Sequence, residues 1–118
     1  MLAHIARVLD GALRAEDAIG RWGGEEFLIV LPATDEEGAI VATERLRTAL
    51  AGDQPQVAVE HGLPVTVTIG VAEWQQEDSG ELISRADDAL YRGKAAGRDV
   101  AKVSTVMAAV SDDVPRRA

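Results

Sequence analysis

The sequence contains no cysteine among its 118 residues. This absence excludes disulfide bonds, thiolate metal sites and a thiol nucleophile. Histidine is nearly as scarce, and His4 and His61 lie far apart, which disfavours a histidine-based zinc site. No apolar run approaches the roughly 20 residues of a membrane span, and the N-terminus lacks the charged-then-apolar plan of a signal peptide. We therefore expect a soluble, cytoplasmic chain without membrane contact.

Basic residues are also in deficit, with 12 lysines and arginines against 20 acidic residues and a net charge of −8. This balance argues against a surface that follows the phosphates of a nucleic-acid polymer or anionic lipids. Binding of a small nucleotide together with a divalent cation remains compatible with this charge balance. The length predicts one domain of ordinary size with its own core.

Apolar residues recur at intervals of three and four in three segments, which predicts helices, and alternate with polar residues in others, which predicts strands. Gly23-Gly24 supplies the positive φ that a tight hairpin turn requires. Thr34 and Glu37 fit a capping box at the start of the second helix. The predicted elements are a helix over 2–13, hairpin strands over 17–22 and 26–31, a helix from 34 to about 50, a short strand at 57–59, a strand over 65–73, a helix over 79–96 and a strand over 100–103.

This order of elements describes an α+β sandwich in which helices pack on a mostly antiparallel sheet. The strand over 27–31 is apolar on both faces, so we expect it inside the sheet. A ferredoxin-like plan would begin with a strand at the centre of the sheet. No strand precedes the first helix here.

Residues 23–27 read GGEEF, which resembles the signature of the GGDEF family, the diguanylate cyclases. Further blocks match that family in order and spacing, and the resemblance extends to about Val103. It implies a ferredoxin-like, nucleotidyl-cyclase-like fold. The other matching parts are Arg21, LIVLPAT at 28–34, VTVTIGVA at 65–72 and ADDALYRGKAAGR at 86–98.

The resemblance implies a nucleotidyl transfer in which two domains, each holding one GTP, face one another and produce cyclic di-GMP. Such chemistry needs a divalent cation, Mg²⁺ or Mn²⁺, to neutralise the phosphates. Glu25 is the candidate metal ligand and catalytic residue, and Glu26 is the weaker catalytic candidate because neighbours on a strand point to opposite faces. Gly23 and Gly24 would let the backbone approach the nucleotide. The alternative is a solvated hairpin tip whose glutamates keep an edge soluble.

Lys94 and Arg98 match the family's phosphate-binding pair at the end of the last helix. Two cations beside a metal-held triphosphate are chemically reasonable. Without the resemblance, they would be interpreted as cations that complement the dipole at a helix C-terminus.

Arg14 and Asp17 form an RxxD sequence that matches the family's inhibitory product-binding motif, and Arg45 matches a further arginine of that site. Guanidinium groups can bind phosphate or a guanine edge, and a carboxylate can accept hydrogen bonds from guanine. The alternative is a helix-end ion pair of little energetic value.

The family's domain begins with a strand and helical pieces that supply a metal-binding aspartate and guanine-recognising residues, and nothing here corresponds to them. We therefore interpret residues 1–103 as a truncated GGDEF domain and 104–118 as a C-terminal tail that is either disordered or a substitute strand. We expect weak or no catalysis by this chain alone. The empty central position would be closed by the flanking strands, or filled by a segment such as 105–110 or by a second chain. The alternative functions are a non-catalytic cyclic di-GMP-binding remnant and an interaction module.

Overall fold

The computed structural model describes residues 1–22, 26–93 and 101–110. No helix within these ranges is both long and apolar enough to cross a membrane. The elements in chain order are α1 (Leu2–Gly11), β1 (Ala18–Trp22), β2 (Glu26–Pro32), α2 (Glu36–Ala51), α3 (Gln56–His61), β3 (Val65–Glu73), α4 (Ser79–Gly93) and β4 (Ala101–Val110).

The four strands form one sheet in the order β1-β2-β4-β3. The hairpin strands β1 and β2 are antiparallel, whereas β4 runs parallel to both β2 and β3. The α+β class is confirmed, but the expectation of a mostly antiparallel sheet is corrected to a mixed sheet. The physical reason is that β4 follows β3 through the crossover helix α4, and such a helix connects neighbouring parallel strands.

The central position of the sheet is filled by β4. Thr105 lies opposite Phe27 of β2 and Ile69 of β3. The hypothesis that a segment such as 105–110 occupies this position is therefore confirmed, and the flanking strands do not close up. The strand extends well beyond the predicted 100–103, and where the domain ends stays a prediction.

Helices cover both faces of the sheet. On one face, α1 and α2 pack over the sheet with Ile5, Leu9 and Leu46 fully buried. On the other face, α4 contributes Leu82, Ala86 and Leu90 to a second cluster. Met107 of β4 belongs to the first cluster and Val106 to the second. The central strand therefore contributes to both cores.

Gly70 allows α4 to approach the sheet closely. A Cβ placed on Gly70 would lie 2.1 Å from the carbonyl oxygen of Ala86 and 2.3 Å from the backbone nitrogen of Leu90. No side chain fits in that space. The glycine within the alternating strand therefore marks the contact between β3 and α4.

Two local predictions are wrong. The start of α2 is capped by Asp35, whose carboxylate accepts a hydrogen bond from the Gly38 N–H at 2.9 Å, and not by Thr34. Residues 57–59 belong to α3 and not to a strand, because Pro55 precedes the helix and Gly62, with φ of 63°, ends it in a left-handed conformation.

Candidate functional site

The GGEEF signature lies at the connection between β1 and β2. Trp22 pairs with Glu26 across the hairpin, so the connection consists of residues 23–25. Glu26 is half-buried, begins β2 and pairs with Ser104 of β4. The remaining predicted residues, Gly23, Gly24 and Glu25, lie outside the described ranges, and their roles stay predictions.

The predicted phosphate-binding pair, Lys94 and Arg98, also lies outside the described ranges. The described part of α4 ends at Gly93. Because α4 connects the parallel strands β3 and β4, it runs in the opposite direction to them. It therefore ends near the end of the sheet at which β4 and β2 begin. The chain enters β2 at this same end of the sheet, because Glu26 pairs with Ser104 near the start of β4. The described part of α4 therefore ends at the same end of the sheet at which β2 begins.

Arg14 and Asp17 form a closely hydrogen-bonded pair in the segment between α1 and β1. The backbone N–H of Arg14 donates to Asp17 Oδ2 at 2.8 Å, and Nη2 donates to Oδ1 at 3.2 Å. The Asp17 side chain is fully buried, whereas that of Arg14 is 43% exposed. The hydrogen bond to Asp17 raises the pKa of Arg14. The carboxylate therefore fixes the guanidinium, which remains partly open to solvent.

Thr34 and the Pro32 carbonyl complete the environment of Arg14. The Nη2 group of Arg14 donates to Thr34 Oγ1 at 2.6 Å and to the Pro32 oxygen at 3.2 Å. Thr34 in turn donates to the Pro32 oxygen at 2.9 Å. Ala33 between them has φ of 52°, a left-handed conformation that turns the chain toward Arg14. Sequence reasoning missed this role, because a threonine just before a helix is typical of a cap.

Arg45 joins this group from α2. Its Nε donates to the Ala12 carbonyl oxygen at 3.1 Å, which ties the side chain to the end of α1. Arg14, Asp17, Thr34 and Arg45 line a cleft of about 430 Å³. The structure thus brings the three residues of the predicted product-binding site into one cleft.

The two arginines differ in how many of their donors are available. Arg14 donates through Nε and Nη2 to Asp17, Thr34 and Pro32, and its Nη1 lies 3.4 Å from Glu16 Oε2. Arg45 uses only Nε in hydrogen bonds within the described part of the chain. Its two terminal nitrogens are therefore the more accessible donors for an anion in the cleft.

A metal site is not visible in the described residues. No group of three or more histidine, aspartate or glutamate side chains within 1–22, 26–93 and 101–110 could hold an ion. The metal-ligand prediction depends on Glu25, outside these ranges. The described geometry therefore leaves the fit of a cation at the hairpin untested.

Comparison with known proteins connects this arrangement to a family. The family model described as diguanylate cyclase, GGDEF domain, matches residues 1–100. Diguanylate cyclase DgcM of Escherichia coli is 43% identical over 101 residues, covering 84% of this chain and 23% of the relative. Diguanylate cyclase DgcP of Pseudomonas aeruginosa is 42% identical over 105 residues, covering 88% and 16%. Response regulator PleD of Caulobacter vibrioides is 39% identical over 104 residues, covering 84% and 22%.

The chain spans less than a quarter of the length of each of these relatives. No solved structure matches the chain at a significant level. Diguanylate cyclases, the enzymes named by this match, are nucleotidyltransferases that generally depend on a divalent metal. The match over residues 1–100 and the identities near 40% show that the chain belongs to the GGDEF family of diguanylate cyclase domains.

Proposed function

We propose that this chain is a catalytic domain of a diguanylate cyclase that joins two GTP molecules into cyclic di-GMP with Mg²⁺ or Mn²⁺. In each of two steps, a 3′-hydroxyl oxygen attacks the α-phosphorus of the other GTP. A P–O bond forms, pyrophosphate leaves and the hydroxyl proton passes to a base. Two domains, each with one GTP, supply the two nucleotides. The observation that carries the proposal is the family match over residues 1–100.

The proposed roles follow the GGEEF signature and the end of α4. Glu25 binds the cation and assists removal of the hydroxyl proton. Glu26, the first residue of β2, is the weaker catalytic candidate. Gly23 and Gly24 leave room for the nucleotide beside the backbone. Lys94 and Arg98 bind the phosphates, and the course of α4 toward the hairpin end of the sheet supports this placement.

The activity test is incubation of the purified chain with GTP and Mg²⁺, followed by chromatography for cyclic di-GMP. We expect at most a small amount of product from the unaltered chain and none from Glu25→Ala. Glu60→Ala, which removes an exposed glutamate from α3, is the matched control and should retain the activity. Equal product from Glu25→Ala and Glu60→Ala would contradict the assigned role of Glu25.

We further propose that the cleft of Arg14, Asp17 and Arg45 binds the product, cyclic di-GMP. The presence of two arginines in one cleft, one of them paired with the buried Asp17 carboxylate, supports this role. Isothermal titration should detect binding by the unaltered chain and its loss in Arg14→Ala. Arg47→Ala is the matched control, because Arg47 lies on α2 and pairs only with Glu44 within the described residues. Unchanged affinity in Arg14→Ala would remove this proposal.

A second candidate is a domain that binds cyclic di-GMP without producing it. The observation in its favour is that Arg14, Asp17 and Arg45 line one cleft within the described residues. The two experiments separate the candidates. Binding with no product from a folded chain would favour the binding module, and product above the Glu25→Ala level would favour the enzyme.

A further inference from the structure

An exposed apolar surface on α2 adjoins the arginine cleft. Ile40 and Val41 are 54% and 58% exposed, whereas Ala39 and Ala42 on the opposite side of the helix are buried. Branched side chains are not favoured by helix propensity, so the helix itself gives no reason for two of them at exposed positions. We call the surface formed by Ile40, Val41, Thr48, Ala49 and Ala12 the α2 shelf.

The α2 shelf and the arginine cleft are continuous. The groove over the shelf has a volume of about 560 Å³, and both Val41 and Arg45 line it and the cleft of about 430 Å³. Arg45 stands at the boundary, held at Nε by the Ala12 carbonyl. A single ligand can therefore contact the arginines with one end and the shelf with the other.

This combination specifies the chemistry of the ligand. Two guanidinium groups lie beside an apolar groove of about 560 Å³, and this combination suits a phosphodiester with an attached nucleobase. A guanidinium at the boundary can also stack on such a ring. A plain anion would leave the shelf uncovered, and a plain apolar ligand would leave the arginine donors unused.

The charge of the chain argues against a second copy as the occupant. Each chain carries a net charge of −8, and the acidic Glu44 borders the groove. The net negative charge of each chain therefore disfavours a second copy on this face. A nucleotide is also anionic, but its charge would lie in the cleft between Arg14 and Arg45.

We propose that the α2 shelf holds a base of the cyclic dinucleotide whose phosphate occupies the arginine cleft, so that Ile40 and Val41 determine affinity for the base. This inference rests on the proposed product-binding role of the cleft. It adds a subsite for the base in which Ile40 and Val41 offer apolar contact and no charge.

The test is isothermal titration of the full chain with cyclic di-GMP, and with inorganic pyrophosphate as a probe that has no base. Val41→Ser and Ile40→Ser should each weaken cyclic di-GMP binding about fivefold or more and leave pyrophosphate binding unchanged. Val59→Ser on α3 is the matched control, because Val59 is 61% exposed and lies outside both cavities. It should bind both probes like the unaltered chain.

The outcomes separate the two proposals. If the unaltered chain does not bind cyclic di-GMP, the product site and the shelf are both wrong. If it binds, and binding is lost in Arg14→Ala but not weakened in Val41→Ser or Ile40→Ser, the product site stands and the shelf is wrong. A loss of affinity for both probes in the shelf variants also contradicts the inference. So does sedimentation that shows a ligand-free dimer converted to monomer by Val41→Ser, because a second copy would then cover the surface.

Discussion

Thr105 places a hydroxyl group in the middle of the core. Its side chain is fully buried in β4, and Oγ1 has no hydrogen-bond partner among the described residues. A buried hydroxyl without a partner loses its hydration and gains nothing in return. The central strand therefore carries a local cost that a side chain of the same shape without the hydroxyl would avoid.

We expect Thr105→Val to raise the free energy of unfolding by about 1 kcal/mol, because it removes the unpaired hydroxyl and keeps the shape. The measurement is urea unfolding followed by circular dichroism. Thr43→Val is the matched control, since Thr43 is also buried but its hydroxyl donates to the Ala39 carbonyl at 3.0 Å. It should give no stabilisation. A Thr105→Val variant less stable than the unaltered chain would show that the hydroxyl has a partner.

The start of α2 shows what residue types alone could and could not predict. Thr34, Asp35 and Glu37 made a cap predictable within one residue. The choice between Thr34 and Asp35 depends on Arg14, which lies 20 positions away and engages the threonine hydroxyl. No local sequence pattern indicates such a contact. For the same reason, the sequence did not predict that Thr34 lines the arginine cleft.

At the scale of elements, the connection between β3 and α4 is held by a compact polar group. The Glu77 carboxylate accepts a hydrogen bond from the Gln75 backbone N–H at 2.6 Å and is paired with Arg85. Arg85 also donates to the Glu73 carbonyl oxygen at 2.6 Å. The backbone hydrogen bond from Gln75, with the contribution of Arg85, lowers the pKa of Glu77 below its usual value of 4.5.

A lowered pKa means that Glu77 stabilises the fold when it is ionised. This stabilisation is fully present above about pH 4.5 and is lost as the pH falls through the lower pKa of the folded state. We therefore expect Glu77→Gln to lower the urea midpoint at pH 7, and the difference from the unaltered chain to shrink in acid. Glu81→Gln, which removes an exposed carboxylate from the first turn of α4, is the control. A difference for Glu77→Gln that stays constant down to pH 3 would contradict this account.

The packing of α4 on β3 depends on Gly70. We expect Gly70→Ala to destabilise the chain by about 3 kcal/mol, because the new methyl group would overlap the backbone of α4 at Ala86 and Leu90. Gly20→Ala in β1 is the control, since nothing lies within 4 Å of the added Cβ. The comparison is made by urea unfolding. Equal stability of the two variants would mean that α4 does not pack closely on this part of the strand.

Elements with strong local patterns were predictable, and elements without them were not. The alternation of Val65, Val67, Ile69 and Val71 predicted β3 with its bounds. The segment at 57–59 has too few residues to distinguish a strand from a turn of helix. The role of the neighbouring Gln54 could not be predicted either. In the structure, its side-chain amide pairs with both the N–H and the C=O of Val65.

At the scale of the whole molecule, the sheet is organised by the pairing of β4 with two strands that are distant in sequence. The resemblance to the family predicts a strand at the centre of the sheet, and residues 105–110 are one of the segments that can fill this position. Strand direction could not be read from the sequence, because apolar residues such as Val106 and Met107 fit either direction. The parallel arrangement arises because α4 crosses over between β3 and β4, and such a connection is not encoded in the pattern of any single strand.

A buried charge in β4 tests whether this strand occupies the centre. Val106 is fully buried, pairs with Leu28 and Gly70, and faces α4. We expect Val106→Asp to cost more than about 4 kcal/mol, because the carboxylate would lie in an apolar core without a partner, and to leave little folded protein by circular dichroism. Val110→Asp, at the half-exposed end of the same strand, should remain folded. If both variants fold equally well, β4 does not lie between β2 and β3, and the two cores are not joined through it.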